Sequence, residues 1–84
     1  MEVNEYGDKV WRNKEGDLHR TDGPAIEYPN SSKVWYQAGK LHREEGAAVE
    51  YVNGYKEYWY GGERYFEIEN DQEWERSVRL MVFG

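Results

Sequence analysis

His19 and His42 are the only imidazoles among 84 residues, and each is followed directly by an arginine, Arg20 or Arg43, with a carboxylate two positions further on, Asp22 or Glu45. Imidazole beside carboxylate is the raw material of general-base or metal chemistry. A zinc site needs a third ligand, yet nothing singles out one of the many carboxylates as a ligand at hairpin or helical spacing to these histidines, and the chain has no Cys. Ser31, Ser32 and Ser77 have no His and Asp arranged to activate them. The glycine-rich turns lack the spacing of a phosphate loop or a dinucleotide fingerprint. The expectation is therefore no enzyme, no cofactor and no metal. A histidine in such a turn satisfies backbone, and Arg20 with Asp22 and Arg43 with Glu45 are expected to form local ion pairs that pin the turns at Gly23 and Gly46.

The second set of residues able to do something is acidic and aromatic. Glu63, Glu67, Glu69, Asp71, Glu73 and Glu75 are interleaved with Tyr58, Tyr60 and Tyr65. Exposed tyrosines dominate binding energy at interfaces, and carboxylates around them suit a basic partner. The same composition also suits an aromatic core with a solvated acidic face.

These residues are positioned by a repeat. GDLHRTDGPAIEY at 16–28 recurs as GKLHREEGAAVEY at 39–51, an offset of 23 residues. Leu18, His19, Arg20 and Gly23 match Leu41, His42, Arg43 and Gly46, so the histidines occupy one slot in successive units and do not converge on one site. Trp11 and Trp35 close KVW triplets, and Trp59 is aligned with them through KEYW. A third copy decays after Gly62, where Arg64 and Tyr65 replace the Leu and His, and the chain starts inside a preceding copy, at Glu5-Tyr6. The units run approximately over 5–28, 29–51 and 52–69.

Each unit reads as hairpins. Asn53-Gly54 and Gly61-Gly62 are strong turn signals, Ala38-Gly39 marks the matching turn, and the flanking Tyr, Val and Trp suit pleated strands. Alternation places Val34 and Tyr36 on one face and Trp35 on the other. Asn70 or Asp71 is placed to cap a helix over about 71–82, with Glu73 in its first turn and Trp74, Val78 and Met81 at helical spacing. The expected fold is mostly β: one antiparallel hairpin meander with a short C-terminal helix that caps it.

Composition bounds the partners. The net charge is −6, from 17 acidic and 11 basic residues, which disfavours direct nucleic-acid binding and favours a basic protein surface, including one that normally holds nucleic acid. Aromatics are 17% of the chain and carry the core. No apolar run approaches the roughly 18–20 residues that cross a membrane, so no membrane partner and a cytoplasmic location are expected. The unpaired edges of a hairpin array are able to pair with a second copy, giving a homodimer, or to capture a partner strand.

The stretch W…GKLHREEGAAVEYVNGYKEYW resembles the MORN-like hairpin repeats of bacteriophage and giant-virus proteins, with the pattern W-x-x-x-G-x-L-H-R-x-x-G-P-A-x-E-Y. The resemblance covers nearly all of 5–62. The first copy keeps Gly23-Pro24-Ala25, whereas the second has Gly46-Ala47-Ala48. The resemblance implies the hairpin fold, a surface that contacts protein or lipid, and an accessory role in which a small phage protein inhibits or modulates a host protein in the host cytoplasm, with an anti-defence inhibitor as one form. The alternative is a structural or self-assembling module. Any specific function is expected in 63–84, the part that the repeat does not explain.

Overall fold

The central interaction of each unit is a stacked guanidinium. Arg20 lies over the Trp11 ring with its Cζ 3.8 Å from the ring centre, and Arg43 lies over Trp35 at the same distance. Nη1 of Arg20 donates to the Pro24 carbonyl and to Glu27, both at 3.1 Å. Nη1 of Arg43 donates to the Ala47 carbonyl at 3.1 Å and to Glu50 at 3.0 Å. The expected Arg20–Asp22 pair is present at 3.0 Å. Arg43, however, pairs only with Glu50, the strand carboxylate seven residues on that corresponds to Glu27 of Arg20, and forms no pair with Glu45.

The computed structural model describes residues 1–83; Gly84, the end of the segment expected to carry function, lies outside them. Six short strands form the main sheet in the order β1-β2-β3-β4-β7-β8: β1 (Glu2–Val3), β2 (Lys9–Val10), β3 (Ile26–Glu27), β4 (Lys33–Val34), β7 (Val49–Glu50) and β8 (Lys56–Glu57). All neighbours are antiparallel. Two further hairpins branch from it, β5 (Tyr36–Gln37) with β6 (Lys40–Leu41), and β9 (Trp59–Tyr60) with β10 (Glu63–Arg64). The first unit has the same hairpin reduced to one bridge, Arg12 to Leu18. Helix α1 (Asp71–Phe83) follows, giving the mostly β fold with a C-terminal helix that the repeat implies.

Register sorts the side chains. Lys9, Glu27, Lys33, Glu50 and Lys56 face one another across five strands, an alternating charge ladder in which every cross-strand pair is of opposite sign. Val10, Ile26, Val34, Val49 and Glu57 form the adjacent row, and by pleat alternation they point to the opposite face. The turns use the residues they require. Ala38 and Gly39 have φ of 49° and 82°, and Gly61 and Gly62 have 57° and 86°, the paired positive values of a tight two-residue hairpin.

The backbone bonds correct one alignment. His19 N–H donates to the Trp11 carbonyl and His42 N–H to the Trp35 carbonyl, but Tyr65 N–H donates to the carbonyl of Tyr58. Likewise Arg20 N–H reaches the Tyr36 carbonyl and Arg43 N–H that of Trp59. Tyr58, not Trp59, therefore occupies the slot of Trp11 and Trp35, and Trp59 matches Tyr36. The first hairpin is one residue longer than the others, so the tryptophans drift by one against a 23-residue register.

Gly23 explains itself by the same stack. A Cβ built there would lie 2.9 Å from the Arg20 Cζ, so the guanidinium is held between the Trp11 ring and a bare Cα. Gly23→Ala is expected to push Arg20 off Trp11 and to lower stability by about 1–2 kcal/mol, the worth of a desolvated cation–π contact. A shift of the urea midpoint to lower concentration measures this, and an unchanged midpoint contradicts it.

Candidate functional site

Beyond strand pairing, the hairpin turn of each following unit donates two bonds back to the unit before it. Gly39 N–H donates to the Leu18 carbonyl and Gly62 N–H to that of Leu41, both at 2.9 Å. The two histidines make the second: Nδ1 of His19 accepts Ala38 N–H at 3.0 Å, and Nδ1 of His42 accepts Gly61 N–H at 2.9 Å. An accepting Nδ1 places the ring proton on Nε2. Each histidine thus reads the turn of the next unit, and His42 also lies against the Tyr60 ring, 4.6 Å between centres. No group of three His, Cys, Asp or Glu able to hold a metal occurs among the described residues.

In the third unit Tyr65 replaces the histidine and Phe66 the arginine, and helix α1 takes over. Asn70 caps it, its Oδ1 accepting Glu73 N–H at 2.8 Å, and Asp71 and Glu73 favour the positive end of the helix dipole. Trp74, fully buried, lies 5.5 Å from the Tyr58 ring centre and 5.4 Å from that of Tyr65. Its Nε1–H donates to the Arg43 carbonyl at 2.8 Å. Ala47 and Val78 complete this core, with Tyr60, Tyr65 and Ile68 packed on it.

This divides the predicted binding residues. Tyr58 is only 5% exposed and its hydroxyl donates to Asp71 at 2.7 Å, so it belongs to the interior. Tyr60 and Tyr65 are half-buried against Trp74, and Asp71 is held between Tyr58 and Lys56. Glu73 is half-buried on α1. Glu63, Glu67, Glu69 and Glu75 are exposed, and among the described residues Glu67, Glu69 and Glu75 form no ion pair. Phe66, next to Glu67 in the chain, is 76% exposed, with the Arg64 guanidinium 4.3 Å from its ring centre. The aromatic half of the expected surface is thus mostly core, while most of its acidic half is accessible. The far end of the helix is also apolar and open, with Leu80 and Phe83 exposed.

Sequence reasoning missed a groove of about 450 Å³ between the first two units. The loop at Arg20, Thr21 and Asp22 forms one wall, the loop at His42, Glu44 and Glu45 the other, and Trp35 and Gln37 also line it. The 23-residue offset was the available signal, since both walls are copies of one loop. No family of known proteins matches the chain, and neither a curated protein nor a solved structure matches it.

Burial first, then the hydrogen bond to Asp71, raises the Tyr58 phenol well above its ordinary range, and Tyr65 is raised by partial burial and by Glu63 beside it. The folded state therefore holds the Tyr58 proton more tightly than the unfolded chain, whose phenol titrates near 10. That stability is complete below about pH 10 and is lost as the pH rises beyond it. Tyr58→Phe is expected to flatten the alkaline fall of the unfolding midpoint, and an identical fall in both proteins contradicts the assignment. His19→Ala is expected to cost about 1 kcal/mol through the lost inter-unit hydrogen bond, read as an equal shift by circular dichroism and Trp fluorescence.

Proposed function

We propose that this chain is a non-enzymatic binding module that holds a basic protein surface against its C-terminal unit and thereby inhibits or modulates that protein. The carrying observation is the set of exposed carboxylates, Glu63, Glu67, Glu69 and Glu75, in the same C-terminal segment as the exposed Phe66 ring. Glu67, Glu69 and Glu75, which form no ion pair among the described residues, keep their field for an incoming cation, and an exposed aromatic in the same segment supplies apolar contact. The resemblance to phage hairpin repeats supports a host protein as the partner, including one whose basic face otherwise holds nucleic acid.

Such binding is electrostatic in its approach, so it weakens as ionic strength rises. The test is affinity capture from host lysate with the natural chain and with a Glu63→Gln, Glu67→Gln, Glu69→Gln, Glu75→Gln variant, side by side. A stoichiometric basic protein is expected with the first and should fall by about tenfold or more with the second, since a 1.4 kcal/mol loss is tenfold in affinity. Equal recovery by both, or no stoichiometric partner with either, overturns the reading.

A further inference from the structure

The groove between the first two units and the space filled by Trp74 are the same place in successive repeats. Trp74 packs on the Tyr58 and Tyr65 rings, with Tyr60 against the same core, and donates its N–H to the Arg43 carbonyl. Twenty-three residues earlier these positions are Trp35, Gln37, His42 and Arg20, and all four line the open groove. The Arg20 carbonyl, counterpart of the one that Trp74 uses, accepts no hydrogen bond among the described residues. One copy of the groove is filled by an indole from the chain's own helix; the other, with Trp35, Gln37 and His42 at the equivalent positions and the Arg43 guanidinium on the Trp35 ring, stands open beside them.

We infer that the open groove is a docking slot for a tryptophan side chain carried on a basic segment of a protein partner, its indole N–H donating to the Arg20 carbonyl. The basic character follows from the rim. Arg43 is answered by Glu50, and Arg20 by both Glu27 and Asp22, so the rim carries more carboxylates than guanidinium groups, with Glu44 and Glu45 paired to no arginine or lysine among the described residues. Where the filled copy has Ile68 and Tyr60, the open one has Glu45 and Gln37, so its occupant meets a more polar, more acidic wall. A second copy of this chain fits poorly, because its own Trp74 is flanked by Asp71, Glu73 and Glu75, which would face that rim. The inference rests on the reading that the chain binds a basic protein and adds an anchor in a different unit from the C-terminal carboxylates.

Tryptophanamide, a cationic indole, is the probe, with N-acetyltryptophan as its anionic counterpart, and backbone amide shifts of the whole chain are the readout. Tryptophanamide is expected to produce saturable shifts at residues 20–23 and 42–45 and to bind about tenfold more tightly than N-acetyltryptophan, a difference of roughly 1.4 kcal/mol. Glu44→Lys with Glu45→Lys, both on the exposed rim, should abolish the shifts while amide dispersion elsewhere is kept, and Glu67→Lys with Glu69→Lys should leave them in place. Absent shifts, shifts centred on the C-terminal unit, equal binding of the two probes, or a concentration-dependent dimer that fills the groove each overturn the inference. The two readings fail separately: a captured basic partner lost on changing the C-terminal carboxylates but indifferent to Glu44→Lys with Glu45→Lys removes the groove and leaves the proposed function standing.

Discussion

A guanidinium lying on an indole, tied at its edge to a strand carboxylate and a backbone carbonyl, is the element on which each full unit depends. It answers a problem peculiar to short strands. Two-residue strands give only one aliphatic row, Val10, Ile26, Val34 and Val49, and the two well-formed units add large planar groups packed against each other: Trp11 under Arg20 and Trp35 under Arg43. The charge on the planar group is then met by Glu27 or Glu50, which at the same time belong to the cross-strand ladder of lysines and glutamates. Removing any member leaves a half-buried cation or carboxylate without its partner, which costs more than the pair contributes.

Neighbour-to-neighbour contact follows from that arrangement. Each unit offers a histidine Nδ1 and a carbonyl to the turn of the next, and the turn answers with two amides. The series has to stop somewhere, and it stops by substitution. With Tyr58 in the tryptophan slot, Tyr65 in place of histidine and Phe66 in place of arginine, the last unit has no arginine to lay on the slot ring, and an indole from helix α1 packs on Tyr58 and Tyr65. The cap is therefore made from the same type of contact as the array, a planar group on an aromatic ring, with the cation exchanged for Trp74.

Much of this was legible in the sequence. The offset of 23, the paired turn residues at Ala38-Gly39 and Gly61-Gly62, and the helix with Trp74 and Val78 on its buried side are local patterns, and the structure carries them as read. Misreadings arose where the information is not local. Trp59 looks like the third tryptophan of a series, but a one-residue difference in the first hairpin makes Tyr58 its structural heir, and only the hydrogen-bond register reveals it. Arg43 has Glu45 two residues away and bonds Glu50 instead, because strand pairing brings that carboxylate under its edge. Tyr58 resembled an interface tyrosine until the fold placed Asp71 on its hydroxyl and Trp74 on its ring.

The equivalence of the two grooves bears on how such a chain changes in number. Units contact only their neighbours, so copying one internal unit of 23 residues would lengthen the array without disturbing the cap. Every copy would add one opening with an arginine carbonyl at its base, while the single helix would still close only the last. The count of repeats would thus set the number of such openings, and the helix fixes where that count ends.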